Sequence, residues 1–322
     1  VGEAAIEAGA DWLAVALIQE AKELREAGLT APILVLSQPH PNELKELKNL
    51  GGVRPTVYTS EGIEEVASIA PKIPVHLKIE TGMNRVGASE KNSVFLANQI
   101  TNSGLILEGV FTHFASADEP ESSFPVEQSV LFDQVIKELA DNGHQPTIIH
   151  MANSAAAINF PASHRSMVRP GIAIYGAEPS VDLRDRCDQI GLKPTAQFET
   201  EVRHIHEIKS GETVSYGRRW TAPHDTLLAT LPVGYGDGIP RSWWEEGCVI
   251  INGQRCPIRG VITMDQLMVE VGAKVAVGDK AILFGEQDGE VITAGEIAQA
   301  TETISYEILA SVGKRVPRIY EN

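Results

Sequence analysis

The chain has 322 residues, enough for two domains or for one barrel with an appended module, and either could bury a sizeable core. It carries 27 Lys and Arg against 43 Asp and Glu, and the net charge of −16 repels polyanions, which excludes nucleic-acid binding unless a local basic stripe exists; none is seen. The 3 cysteines, Cys187, Cys248 and Cys256, are odd in number and lack CxxC spacing, so neither a disulfide framework nor a metal site is expected, and a reducing cytoplasm fits best.

No apolar run approaches the roughly 20 residues of a membrane span, and Glu3 and Glu7 stand where a signal peptide would carry basic residues. From Val1 to about Gly176 short apolar runs alternate with amphipathic stretches, the pattern of repeated strand–helix units on a parallel sheet. Strands are expected at 12–16, 33–36, 54–57, 75–79, 105–111, 147–150 and 167–172. Helices are expected at 19–27, 42–50, 60–69, 90–102 and 126–142, with Ser60-Glu61 as the start signal of the third. These strands fall one short of the eight that close a barrel of this kind. After about Asp182 the texture turns to Val/Ile/Thr-rich runs at 202–208, 226–231, 248–251, 258–261, 267–271 and 281–284. The pairs Ser210-Gly211, Asn252-Gly253 and Gly278-Asp279 mark hairpins and turns between them, and short helices are expected at 294–300 and 306–312. The expected division is an α/β barrel domain over 1–190 and a β-rich domain over 191–322.

Several positions set a reactive side chain beside small or apolar neighbours. Arg169 stands inside the apolar run from Met167 to Tyr175, where it needs a buried anionic or acceptor partner. Ser154 follows His150-Met151-Ala152-Asn153 and opens Ala155-Ala156-Ala157, so its hydroxyl and the N–H groups of a helix start could hold a phosphate together with Gly171. The same residues also read as an ordinary N-cap and turn glycine. Lys78 ends the run Val75-His76-Leu77 and is open to two readings, a nucleophilic amine or a snorkelling strand-end lysine. His113 and His150 end strands, where a lone histidine is often structural. Tyr216 in Val214-Ser215-Tyr216-Gly217, Met264 and Asp265 in Thr263-Met264-Asp265-Gln266, and Tyr306 in Ser305-Tyr306-Glu307 lie in the second half.

Together with Lys78-Ile79-Glu80-Thr81-Gly82-Met83-Asn84-Arg85, these stretches resemble the pyridoxal-phosphate-dependent alanine racemases, from the first residues to the last. The resemblance implies a (β/α)8 TIM-type barrel followed by a mainly-β domain, and interconversion of L- and D-alanine through a cofactor-stabilised carbanion with a base on each face. It implies pyridoxal 5'-phosphate bound by His113, Ser154, Arg169, Gly171, Ile172 and Tyr306, with Arg169 on the ring nitrogen. It implies that Arg85 holds the substrate carboxylate, that Lys78 is carbamylated and paired with Arg85, and that Tyr216 and Asp265 act in catalysis. A phenol with a pKa near ~10 needs a neighbouring cation or hydrogen bond to act as a base. Tyr216 and Met264 are expected to reach the site from the partner subunit of a homodimer, in a cytoplasmic bacterial enzyme supplying D-alanine for peptidoglycan.

In that family the cofactor lysine lies on the first barrel strand, ahead of the helix whose end resembles Ile6-Glu7-Ala8-Gly9-Ala10, so the chain is expected to lack that strand and its lysine. A racemase for serine or another small amino acid, or a catalytically incomplete chain, would keep most of the same residues. A decarboxylase of the same architecture would put a carboxylate where Arg169 stands. Thr263 replaces a cysteine found in several relatives, and Gly236 a common alanine.

Overall fold

The computed structural model describes residues 1–321, which form two compact units, Val1–Gly171 and Ile172 onward. In the first unit six strands run parallel and pair in chain order: β1 Leu13–Val15, β2 Ile33–Val35, β3 Val53–Val57, β4 Pro74–Lys78, β5 Ile106–Phe111 and β6 Ile148–His150. Both faces of β2 are covered, so it reads as the continuous apolar triplet Ile33-Leu34-Val35 rather than an alternation. Helices connect the strands: α1 Gly2–Glu7 precedes β1, and α2 Ile18–Glu26, α3 Leu44–Leu47, α4 Ser60–Ile69, α5 Ser93–Asn102, α6 Phe124–Asp141 and α7 Ser154–Asn159 follow β1 to β6 in turn. Helix α4 turns Ile63 and Val66 inward against a core that includes Val57, Val75, Leu77 and Phe132.

Local chemistry explains where the expected boundaries moved. Helix α4 starts where expected, but its cap is Thr59, whose Oγ1 accepts from Gly62 N at 3.0 Å, and not Ser60. The helix expected at 42–50 shrinks to one turn between Pro41 and Gly51-Gly52. The stretch expected as helix from 90 begins as a 3-10 turn, Glu90–Asn92, before α5. The seventh strand does not form. Met167 makes a single bridge to His150 and Arg169 N donates to Ala152 O at 2.9 Å, after which Pro170 has no N–H to extend the ladder.

The second unit is antiparallel. Its strands are β7 Phe198–Glu201, β8 His204–Ile208, β9 Thr213–Val214, β10 Trp220–Thr221, β11 Thr226–Leu231, β12 Cys248–Ile251, β13 Gln254–Pro257, β14 Leu267–Glu270, β15 Lys280–Gln287 and β16 Glu290–Ile292. One sheet has the order β14-β11-β8, another β13-β12-β15-β16 with β7 also on β15, and β9 pairs with β10. Asn252 and Gly253 both take positive φ, 51° and 68°, and turn β12 into β13 as that dipeptide predicts. The strand expected at 258–261 is reduced to one bridge, Ile258 with Val269. Gly260 interrupts it at φ +76°, where a Cβ would lie 2.7 Å from Val214 O. Helix α8 Arg184–Gln189 precedes these strands, and α9 Ala294–Ala300 and α10 Ser305–Ser311 follow them, adding Ile297 and Ile308 to a core built on Trp243, Val249, Leu267 and Ile282. Among the described residues no helix is long and apolar enough to cross a membrane.

Candidate active site

The C-terminal ends of β4, β5 and β6 and the segment after Met167 carry the first unit's candidate groups, as a parallel α/β sheet dictates. Arg169 donates through Nη2 to Thr112 O at 2.9 Å and Met151 O at 3.1 Å, and through Nη1 meets His150 Nδ1 at 2.8 Å. The His113 ring nitrogen Nδ1 lies 3.4 Å from Nη2. These acceptors are all neutral, so the arginine is not half of a buried Arg–Glu pair and keeps its charge for another partner. Burial brings its pKa down to about 10, which still leaves it a cation at neutral pH.

Lys78 ends β4 with its side chain buried and Nζ 5.7 Å from the Phe111 ring centroid. Burial, then Arg85, then Arg169 pull its pKa down to about 8, with Glu80 opposing. His113 is driven to about 3 by burial and by Arg169, Arg85 and Lys78, so its imidazole is neutral. Three cations thus act on one ring, a field that calls for anions.

Arg85 is exposed on a loop folded around the Glu80 carboxylate, which accepts from Gly82 N at 2.6 Å and Arg85 N at 3.3 Å. Burial would raise the Glu80 pKa, but the N–H groups of Asn84, Gly82, Arg85 and Met83 outweigh it and hold the pKa below the ordinary value. The loop approaches α6 closely, since a Cβ on Gly82 would meet the Phe124 ring at 2.5 Å. Gln128 of α6, fully buried, accepts from Ala115 N and donates to Thr81 Oγ1 and His113 O, tying the Arg85 loop to the His113 loop. Sequence reasoning assigned nothing to Glu80 or Gln128; the only local signal was a carboxylate two residues before a glycine.

Ser154 begins α7, and its Oγ accepts from Gly171 N at 2.7 Å, so the two small residues expected at a phosphate are joined. Nothing lies within 4 Å of a Cβ placed on Gly171, which leaves that backbone open to a ligand. One expected phosphate donor is taken, because the Asn153 side chain caps α7 by accepting from Ala156 N at 3.0 Å. His150, at the end of β6, joins Arg169 through Nδ1 and His76 through Nε2.

In the second unit Tyr216 is 72% exposed, in a turn fixed by Ser215 Oγ donating to Val261 O at 2.6 Å. Ser215 itself takes φ 64°. Met264 and Asp265 share an exposed turn, where Arg315 bonds Asp265 at 2.8 Å and Asp237 at 2.7 Å. A Cβ on Gly236 would lie 2.6 Å from Arg315 Nη2, so the glycine that replaces a common alanine leaves room for this arginine. Arg315 has no signal in the sequence near Asp265. Ile172 is buried at the head of a 3-10 turn, and Tyr306 is the second residue of α10, whose first residue Ser305 donates to Glu178 O at 2.8 Å.

The donor set fits a phosphorylated cofactor and a carboxylate substrate: a charged guanidinium with neutral partners, a neutral imidazole, a serine–glycine pair and two further cations. Comparison with known proteins agrees. The family described as alanine racemase, N-terminal domain, matches residues 1–179, and alanine racemase, C-terminal domain, matches residues 195–320. The alanine racemase of Desulfosudis oleivorans is 41% identical, with 100% of this chain and 86% of that protein covered, and that of Halothermothrix orenii is 40% identical with the same coverage. The alanine racemase structure from Bacillus anthracis with bound L-Ala-P superposes with a TM-score of 0.90 at 37% identity, covering 99% of this chain and 83% of that one. With both units matched in sequence and fold, the chain belongs to the alanine racemase family, isomerases that depend on pyridoxal phosphate.

Proposed function

We propose that Lys78, Arg85, His113, Ser154, Arg169 and Gly171, with Ile172 and Tyr306, form the cofactor and substrate site of this alanine racemase, and that Tyr216, Met264 and Asp265 serve the site of a second copy in a homodimer. The observation that carries the assignment is the Arg169 guanidinium, held by neutral acceptors and 3.4 Å from His113, with Lys78 and Arg85 adding positive charge around the same ring. Such a field needs the phosphate and carboxylate that cofactor and alanine bring.

When bound, the cofactor supplies the electron sink that acidifies the alanine Cα–H. Ser154, Gly171 and Tyr306 are assigned to its phosphate and Arg169 to its ring nitrogen. Because Arg169 stays a cation, it would donate a hydrogen bond there without giving up a proton, which would weaken the sink and favour return of the proton to Cα over side reactions. His113, neutral, would pack beside the ring and orient it without exchanging protons. Arg85 clamps the substrate carboxylate from a loop that Glu80 holds in place. Tyr216 moves the proton on one face of Cα, and its exposure on its own unit leaves the hydroxyl available to a partner. Exposed Met264 would line the same pocket, while Asp265 is steadied by Arg315. The product D-alanine would feed peptidoglycan synthesis in the cytoplasm, a compartment in which the free cysteines Cys187, Cys248 and Cys256 stay reduced.

Replacing Tyr216 by Phe tests the assignment, since only the hydroxyl is lost. Turnover should fall on the order of 100- to 10,000-fold, the range of a positioned acid–base group. Solvent deuterium should still enter Cα from one enantiomer and hardly from the other. Equal incorporation from L- and D-alanine would show that Tyr216 is not a one-face base.

A further inference from the structure

The hydrogen bonds that start at Arg169 continue through the sheet. Arg169 Nη1 meets His150 Nδ1 at 2.8 Å, and His150 Nε2 meets His76 Nδ1 at 2.8 Å. His76 is fully buried, and its Nε2, which has no hydrogen bond of normal length, lies 3.6 Å from Glu108 Oε2. Glu108 receives both arms of Arg54, at 2.9 and 3.3 Å. The row takes Arg54 from β3, His76 from β4, Glu108 from β5 and His150 from the end of β6.

The proton positions along the row follow from its ends. A guanidinium has only donors and a carboxylate only acceptors. His150 Nδ1 therefore accepts from Arg169, its proton sits on Nε2, and His76 Nδ1 accepts it. The remaining His76 proton must lie on Nε2, directed to Glu108. The reverse order would require Arg169 to accept. Burial is the main cause that holds both imidazoles below their ordinary pKa, which keeps them neutral and the order intact.

Strand β5 is built for this row. A Cβ on Gly109 would lie 2.5 Å from His76 Nδ1, so the glycine provides the space for the ring. Phe111 stacks on His150, with centroids 4.7 Å apart and planes 11° apart, and its ring also lies 5.2 Å from Arg169 Cζ. Nothing in plain packing requires two buried imidazoles to connect a carboxylate to an arginine.

We propose that Glu108, His76 and His150 form a positioning relay that orients the Arg169 guanidinium and passes to it the pull of a carboxylate without placing an anion beside it. A carboxylate in direct contact would pair with the guanidinium and occupy the donor edge that faces a ligand. Two neutral rings transmit the polarisation and leave that edge available. The relay deepens the site assignment above and rests on it for its catalytic meaning, but its existence is tested separately.

The test is nitrogen-15 NMR of the histidine rings in the full chain without cofactor, for the wild type and for Glu108→Gln. The wild type should show His76 and His150 as neutral rings protonated at Nε2, with ring protons shielded from exchange. In Glu108→Gln the ring-proton signals of His76 and also of His150, one step farther along, should shift and exchange faster. In the cofactor-loaded enzyme the same variant should lose about tenfold in kcat, the scale of a lost supporting contact, with the KM for alanine little changed. A cationic or Nδ1-protonated ring in the wild type would overturn the proposal, as would a His150 signal indifferent to Glu108→Gln. If that variant does not fold, Arg169→Gln tests the other end: the Glu108 carboxylate still fixes the ring order, so both rings should stay protonated at Nε2 while the His150 Nδ1 signal shifts, and a His150 Nδ1 signal indifferent to the change overturns the relay. Failure of the Tyr216 exchange experiment would leave these ring readings untouched.

Discussion

Lys78 shows how neighbours reset one side chain. Burial comes first, and the Arg85 and Arg169 charges follow, bringing an amine with an ordinary pKa of 10.5 down to about 8. A fraction of it is then neutral near physiological pH and able to attack carbon dioxide. The N–C bond forms, a proton leaves, and the resulting carbamate is an anion among cations, able to pair with Arg85. We expect carbon-13 bicarbonate to give a carbamate resonance in the wild type and none in Lys78→Ala; its absence from the wild type would leave Lys78 a plain amine. The unmodified residue has its own signature. Its pKa is lower folded than unfolded, so its contribution to stability falls as pH drops from 10.5 through about 8. Urea unfolding in carbon-dioxide-free buffer should show stability rising across that window, and equilibration with carbon dioxide should flatten the rise.

At the scale of elements, β5 supports the site more than its length suggests. Glu108, Gly109 and Phe111 each touch a residue of the row beneath Arg169, and a register shift between Val75 and His76 in the pairing of β4 with β5 sets His76 opposite Gly109. Gly109→Ala would push a methyl group into a buried ring with no freedom to move, an overpacking that costs about 1–3 kcal/mol. A lower urea midpoint for the variant is the expected result, together with disturbed His76 ring signals; an unchanged midpoint would mean that β4 and β5 can slide apart at no cost. Strands and long helices were legible because apolar spacing follows the period of each element. The stretch 167–172 was not, because its strand-like composition hides Pro170, whose missing N–H ends the ladder. Similarly, Ser60-Glu61 drew attention from Thr59, since both offer a hydroxyl and only the backbone geometry selects the cap.

For the whole molecule the central prediction is a site shared between two copies. Arg85→Ala damages the first unit and Tyr216→Phe the second, and each alone should be nearly inactive. If Tyr216 serves the partner's site, mixing the two variants under conditions that exchange subunits produces heterodimers with one intact site, and activity returns. No recovery on mixing, with exchange confirmed by sedimentation or mass measurement, would place Tyr216 and Arg85 in the same chain's site.

Strand–helix alternation was enough to expect the fold, and a few short motifs carried the resemblance that implied the family and its cofactor, because each depends on residues close together in the chain. The same motifs named Arg169, Ser154, Tyr216 and Asp265 as candidates. What the tertiary structure alone decided is how those groups are held: Arg169 by neutral acceptors and a row leading to Glu108, Asp265 by Arg315, Arg85 by the Glu80 loop, and Ser154 by Gly171. Arg54 and Glu108 are 54 positions apart, and His76 and His150 are 74 apart. Parallel strands with helical crossovers make neighbours of residues that no local pattern connects, and burial then fixes their charges and protons.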